Sequence, residues 1–222
     1  MMIYCSGNEP AARLSVDELR VMTITSEATN QQERWERRYA DGKTPWDRGE
    51  ASPALTQAFA QIPPPPARIL VPACGRGHEV IALASMGYKV IGVDFAASAV
   101  QHLSQSLASE RLKADVILAD LFAWNPDSPV DVIYEQTAIC ALEPALWPSY
   151  ASRLARWLRP GGTLVGLFMQ TAREGGPPWH VSLSTLESLF PETIWSWPAD
   201  PVDTVMHPSG LSELLITLKR RD

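Results

Sequence analysis

The chain is poor in the residues that staple or anchor small proteins. Its three cysteines, Cys5, Cys74 and Cys140, are odd in number, far apart and without a CxxC pair, which excludes a disulfide framework and offers no zinc spacing. The four histidines, His78, His102, His180 and His207, share no ligand spacing with Asp, Glu or Cys. No uninterrupted apolar run approaches the roughly 18 residues of a membrane span. The first twenty residues alternate charge and polarity where a signal peptide would carry an apolar core. Positive charge is also short: 19 Lys and Arg stand against 25 Asp and Glu, so no electrostatic footprint for nucleic acid or an anionic bilayer exists. These absences point to a globular protein of a reducing cytoplasm whose partners are small molecules.

At 222 residues, 45% of them apolar, the length predicts one domain with a sizeable core. Residues 1–28 hold Gly, Asn, Pro, Ser and Thr with little periodicity and read as a loosely packed head, in which Met22 is an alternative start. Thr29 or Asn30 caps a helix reaching about Ala40, and "DGKTPWDRGEASPAL" then punctuates the chain with turn residues. A short helix from Pro53 to about Ala60 and a stiff Pro63–Pro66 bridge complete a lead segment over 29–62.

Beyond the bridge, periodicity predicts strands at Arg68–Pro72, Lys89–Asp94, Ala114–Ala119, Val130–Glu135 and Thr163–Met169. Helices at His78–Met86, Ala96–Ala108 and Ala145–Leu158 alternate with them. A helix at Leu183–Leu189 and strands at Thr193–Trp197 and Ser212–Lys219 follow, giving seven strands. Such alternation builds a Rossmann-like, doubly wound α/β sheet with helices on both faces.

The stretch "ILVPACGRGHEVIALASMGYKVIGVDF" carries the chemistry. In a doubly wound sheet the ligand sits beyond the carboxyl ends of the strands, where strand order reverses, and Gly75 and Gly77 occupy that place after the first strand. A dinucleotide fingerprint asks for Gly or Ala three residues after Gly77, where this chain has Val80, so a nicotinamide dehydrogenase is disfavoured. Asp94 ends the second strand, placed to accept hydrogen bonds from a ribose diol, and "ILADLFAW" sets Asp120 at the end of the third. With "RWLRPGGTLVGLF", this series resembles the class I S-adenosylmethionine-dependent methyltransferases.

The flanks narrow the resemblance. "RWERRYADGKTPWDRGEASPAL", "LVPACGRGHEVIALA", "YEQTAICALEP" and "GGPPWHVS" are together similar to the thiopurine S-methyltransferase superfamily, in its halide/thiol methyltransferase-like branch, from about Trp35 onward. The resemblance implies S-adenosyl-L-methionine as cofactor and S-adenosyl-L-homocysteine as product, wrapped by Trp35, Tyr39 and Trp46 of an N-terminal helical lid. It implies contacts from Ala73, Gly75 and Gly77 in the turn, from Asp94 and Phe95, and from Asp120 and Leu121 at the adenine. Glu135, Gln136 and Thr137 face the methyl group, with Glu135 as a candidate base. The implied enzyme is a monomer acting on a small soft nucleophile such as a thiol, sulfide or halide, with neither nucleic acid nor membrane as partner. The alternatives are a non-catalytic cofactor-binding regulator, or an O- or N-methyltransferase using Glu135 as base. Trp179 is expected as a further aromatic wall and His180 as a possible pocket group, while Cys74 and Cys140 read as small buried hydrophobes.

Two positions depart from the pattern. The acidic residue that most class I methyltransferases place at the end of the first strand, near the cofactor's amino group, is replaced here by Val71 and Pro72. Gln136 stands where thiopurine-active members carry Arg and the halide/thiol branch commonly carries Tyr.

Overall fold

The computed structural model describes residues 30–199, 202–207 and 209–222. The expected loose head at 1–28 lies outside the described residues. Residues 30–40 form helix α1 and Ala54–Ala58 helix α2. Then come β1 (Arg68–Pro72), α3 (His78–Ser85), β2 (Lys89–Asp94), α4 (Ala97–Glu110), β3 (Asp115–Leu118), β4 (Val130–Gln136), α5 (Trp147–Trp157) and β5 (Leu158–Gln170). Helix α6 (Leu183–Leu189) and strands β6 (Trp195–Ser196), β7 (Asp203–Met206) and β8 (Ser212–Arg220) close the chain.

The sheet runs in the order β3-β2-β1-β4-β5-β8-β6, with β7 also paired to β8. Strands β1 to β5 are mutually parallel, and β8 is antiparallel to its neighbours. Order reverses between β1 and β4, which opens a crevice at the carboxyl ends of those strands. Apolar side chains emerge on both faces because helices cover both. Val80 and Leu83 of α3 and Leu103 and Leu107 of α4 pack with Ile69, Val71 and Tyr134 on one side. Trp147, Tyr150, Ala151, Leu154 and Trp157 of α5, at helical spacing, pack with Leu70, Ile133 and Leu164 on the other. Helix α5 starts at Trp147, two residues later than periodicity suggests, because Pro148 lacks an N–H and is tolerated only in a first turn.

Against the seven strands expected, the sheet has eight, since two short pieces share the outer edge of β8. β6 pairs with Arg220 and Lys219, and β7 with Leu215 through Ser212. Ser196 and Asp203 are seven positions apart, whereas their partners Lys219 and Leu215 are four apart, so the two pieces are not one continuous strand. Pro198, with no N–H for the ladder, lies in that interval.

The lead segment crosses the carboxyl ends of the strands and is fastened at three places. Gln32 Nε2 donates to the Phe95 carbonyl (3.1 Å), and Glu36 accepts from the Ser98 N–H (3.2 Å) in the first turn of α4, where a carboxylate also meets the positive end of the helix. Asp47 binds Arg76 (2.9 Å) and His78 (2.8 Å) beside the glycine turn. Arg48 pairs with Glu213 of β8 at 2.7 Å, both side chains nearly or wholly buried, and also donates to the Met206 carbonyl. Breaking a buried pair by removing one partner leaves an uncompensated charge, so Arg48→Ala should lower unfolding free energy by about 3–5 kcal/mol. Urea titration followed by far-ultraviolet circular dichroism measures it, and a loss under 1 kcal/mol would show that Arg48 does not fasten the segment.

Candidate functional site: a cavity at the strand-order switch

A cavity of about 1090 Å³ opens where β1, β2 and β4 end, roofed by the lead segment. It exists because the chain after β1 turns back sharply. Ala73, Gly75 and Gly77 all have positive φ (48°, 54° and 77°), and the Cys74 N–H donates to the Val93 carbonyl, holding the turn against β2. Asp94 then braces the turn from below: its two carboxylate oxygens accept from the Gly75 N–H (2.7 Å) and the Ala96 N–H (2.9 Å). Burial pushes this carboxyl up, against the two N–H groups that favour the ionised form. Each oxygen retains a further lone pair for a ligand.

Aromatic residues form the roof. Trp35 meets Trp46 edge to face at 5.3 Å, and Tyr39 meets Trp46 the same way at 5.8 Å. The Arg38 guanidinium lies 5.5 Å from the Trp35 ring centre and 5.6 Å from that of Trp46, so this pair of indoles already holds a cation. A Cβ on Gly75 would stand 2.8 Å from the Tyr39 hydroxyl, which makes glycine there a condition for the roof to close. Burial, then the neighbouring Asp94 charge, push the Tyr39 phenol far up, so it stays neutral. His207 supports the roof from β8's side. Its Nδ1 accepts from the Ser209 N–H (3.1 Å), which leaves Nε2–H to donate to the Trp46 carbonyl (3.3 Å). Burial and the Arg48 charge lower the His207 pKa and keep that ring neutral.

Asp120 accepts from the Phe122 N–H (2.8 Å) and stabilises the turn that presents Leu121 to the cavity. At the end of β4, the Tyr134 hydroxyl donates to Gln136 Oε1 (3.1 Å). Thr137 has φ 64°, a left-handed conformation that a β-branched residue rarely adopts and that costs about 1–3 kcal/mol. Strain of that kind collects where a turn is shaped for a ligand.

Ten of the twelve residues expected at the site therefore line one cavity: Trp35, Tyr39, Trp46, Ala73, Gly75, Asp94, Phe95, Asp120, Leu121 and Gln136. Gly77 and Glu135 do not. Gly77 faces α4, where a Cβ would collide with Leu103, so its glycine serves helix packing. Glu135 points to the opposite face of the sheet from Tyr134 and Gln136, fully buried. One of its oxygens accepts from the Ile139 N–H (2.8 Å) and the other has no partner. Burial, opposed by the Ile139 N–H, pushes its carboxyl up to about 8. It shapes the turn after β4 from behind and does not reach the cavity, which removes it as a base for bound acceptor. Trp179 and His180 also stand back. The Trp179 backbone N–H donates to the Cys140 carbonyl, its ring packs on Gly176, and His180 accepts from the Ala172 N–H, while Pro177 and Pro178 of the same loop line the cavity. The small residue that lets helix and strand approach beside Val80 sits on the strand: a Cβ on Gly92 would come within 3.1 Å of Val80 and of Cys74.

Sequence alone passed over Asp47, Arg48, Glu79 and His207, all of which line the cavity. Asp47 and Arg48 flank Trp46 in "TPWDRG", and Glu79 follows the glycine turn in "GRGHEV", but their partners are remote in sequence.

A mostly parallel sheet with a cavity at its switch point, a carboxylate closing β2 and an aromatic roof fit a class I methyltransferase. The model of the thiopurine S-methyltransferase (TPMT) family matches residues 30–213. Thiocyanate methyltransferase 1 of Brassica oleracea is 36% identical over 160 residues, 70% of each chain. A probable thiol methyltransferase 2 of Arabidopsis thaliana is 35% identical over 159 residues, again 70% of each. Among solved structures, the 1,6-didemethyltoxoflavin-N1-methyltransferase of Burkholderia thailandensis, with S-adenosylhomocysteine bound, shares the fold with a TM-score of 0.69 at 17% identity, over 96% of this chain and 94% of that one. The chain belongs to the thiopurine S-methyltransferase family and is an S-adenosylmethionine-dependent methyltransferase.

Because Asp94 braces the turn, Asp94→Ala should lower the melting temperature as well as weaken S-adenosylhomocysteine binding by roughly 1.5–3 kcal/mol, the scale of a hydrogen bond to a charged group. Calorimetric titration beside a thermal melt checks both, and unchanged affinity would take Asp94 out of the ligand's reach. For Glu135, the folded-state value near 8 exceeds the ordinary 4.5. Between those pH values the folded state holds a proton that the unfolded chain has released, so stability falls as pH rises through 8. Glu135→Gln keeps an acceptor for Ile139 and cannot ionise. It should flatten the fall in melting temperature between pH 5 and 8.5 while retaining turnover; abolished turnover in a folded protein would restore Glu135 as base.

Proposed function

We propose that the cavity binds S-adenosylmethionine across the carboxyl ends of β1 to β4 and that the methyl group goes to a small sulfur nucleophile, a thiolate or a thiocyanate-like anion. The observation that carries this reading is the convergence of the aromatic roof, the glycine turn and Asp94 on one cavity. In it, Asp94 receives the ribose through its spare lone pairs, and Phe95, Asp120 and Leu121 border the adenine. Ala73 and Gly75 pass beneath the amino-acid tail, and Gln136 and Thr137 face the methyl. One feature of the built site fits the group: carboxylate lone pairs left open at the end of β2, beneath a roof of aromatic rings.

Bound there, S-adenosylmethionine supplies an electrophilic methyl on a permanent cation. The protein's own share is placement and exclusion of water. Trp35 and Trp46 offer ring faces worth about 0.5–2 kcal/mol to a cation, depending on how dry the site is. Met169, Leu142, Leu146, Leu211, Pro177 and Pro178 give the rest of the cavity an apolar wall, where an anion stripped of water is more reactive. The volume slightly exceeds the roughly 300–1,000 Å³ of ordinary single-ligand pockets, so donor and acceptor fit side by side, and holding them together removes several kcal/mol of barrier. With Glu135 outside the cavity, an acceptor that is already anionic suits the site better than a neutral hydroxyl or amine. Thiols, with pKa values of about 8.5, are partly ionised near neutral pH.

The sulfur specificity draws on the thiocyanate and thiol methyltransferases that the chain resembles. We further read it as a monomer of a reducing compartment, in keeping with the free thiols Cys74 and Cys140. Among the described residues, no helix is long and apolar enough to cross a membrane. Incubation with methyl-labelled S-adenosylmethionine and a panel of thiocyanate, sulfide, iodide, small thiols and phenols tests the function. Label should pass to the sulfur acceptors, and Trp46→Ala should raise the cofactor Kd and lower turnover. Transfer to phenols alone would overturn the assignment.

A further inference from the structure

The amino-acid tail of S-adenosylmethionine carries an ammonium group, and this chain lacks the acidic residue at the end of β1 that would meet it: Val71 and Pro72 are there instead. We propose that Glu79, in the first turn of α3, receives that ammonium from the far side of the glycine turn. The inference rests on the cavity being the cofactor site.

Six carboxylates line the cavity, and their bonding separates them. Asp47 is already held by Arg76, His78 and the Gly49 N–H. Asp94 braces the Gly75 and Ala96 N–H groups on the β2 side. Asp120 caps its own turn through the Phe122 N–H. Glu50 is exposed, and Glu143 stands beyond the turn after β4, at the start of the 3-10 turn Pro144–Leu146. Glu79 remains. Its Oε1 accepts from the Ser52 N–H (3.0 Å), a bond that fixes the side chain, while Oε2 has no hydrogen bond among the described residues. No basic nitrogen of the described residues lies within salt-bridge distance of it: of the two cations that act on it, His78 binds Asp47, and Arg48 is committed to Glu213 and the Met206 carbonyl.

Position agrees with bonding. Glu79 follows the turn by two residues, lines the cavity and is held by the Ser52 N–H of the lead segment. Asp94 stands on the β2 side. A ligand with its ribose at Asp94 and its reacting end at Gln136 carries its tail between them, over Ala73 and Gly75, within reach of Glu79. Burial pushes the Glu79 carboxyl up, with the Ser52 N–H opposing. A cation placed at Oε2 favours the ionised form, so affinity and ionisation reinforce one another.

The test compares two ligands. S-adenosylhomocysteine carries the ammonium; 5′-S-(3-carboxypropyl)-5′-thioadenosine keeps the carboxylate and lacks it. Glu79→Gln preserves an acceptor for Ser52. Calorimetry on the wild type and Glu79→Gln should show at least about a tenfold loss of S-adenosylhomocysteine affinity and less than about a twofold change for the analogue. Structural damage would weaken both ligands alike, and equal loss overturns the proposal; so does unchanged affinity for both. Failure of the wild type to bind either ligand would instead bring down the cofactor-site reading itself.

Discussion

The Asp94 carboxylate holds two backbone N–H groups that belong to different parts of the fold, the turn after β1 and the start of α4. Much of the site depends on that bridge. With Gly75 drawn toward β2, the turn opens its positive-φ backbone upward, and the lead segment can rest its Tyr39 hydroxyl on a position that has no Cβ. Gln32 and Glu36 then dock on the carbonyl and N–H groups just past the bridge. One buried carboxylate therefore sets both floor and roof of the cavity. Its elevated pKa reflects the cost of keeping it dry, which the two N–H groups offset in part.

The roof itself is held by charge from outside. "DGKTPWDRGEAS" has few apolar residues with which to pack upon itself, and its order comes from Asp47 reaching Arg76 and His78 and from Arg48 reaching Glu213. The Arg48–Glu213 pair is nearly or wholly buried, where a partner matters more than it would on an open surface. The segment is consequently a wall with two fixed edges. Its indole faces are oriented by backbone anchors at Trp46, through His207, and are not left to find their places by packing alone.

The parallel strands were legible because burial on both faces writes them as continuous apolar runs, as in "RILVP" and "KVIGVD". The glycine turn and Asp94 were legible because the switch point of such a sheet has a fixed place relative to its first strand. Strand β7 was not: only Val205 of "DTVM" is buried, and the segment sits among prolines. Glu135 illustrates a different limit. Adjacent strand residues face opposite ways, so the step from Gln136 to Glu135 crosses the sheet, and proximity in sequence to the methyl-facing end said nothing of proximity in space. Asp47 and Arg48 were invisible as site residues because their partners lie 29 to 165 residues away, and a long-range ion pair leaves no local pattern.

That last separation bears on how the protein is made. Arg48 belongs to the first quarter of the chain and Glu213 to its final strand, which is inserted antiparallel between β5 and the β6–β7 edge. During synthesis the parallel strands β1 to β5 emerge in order and can pair with their neighbours, but the roof has no anchor on that side until the C-terminus is released. The roof's anchor on β8 therefore closes late, across a separation of 165 residues. An incomplete polypeptide would present the glycine turn and Asp94 without the wall above them.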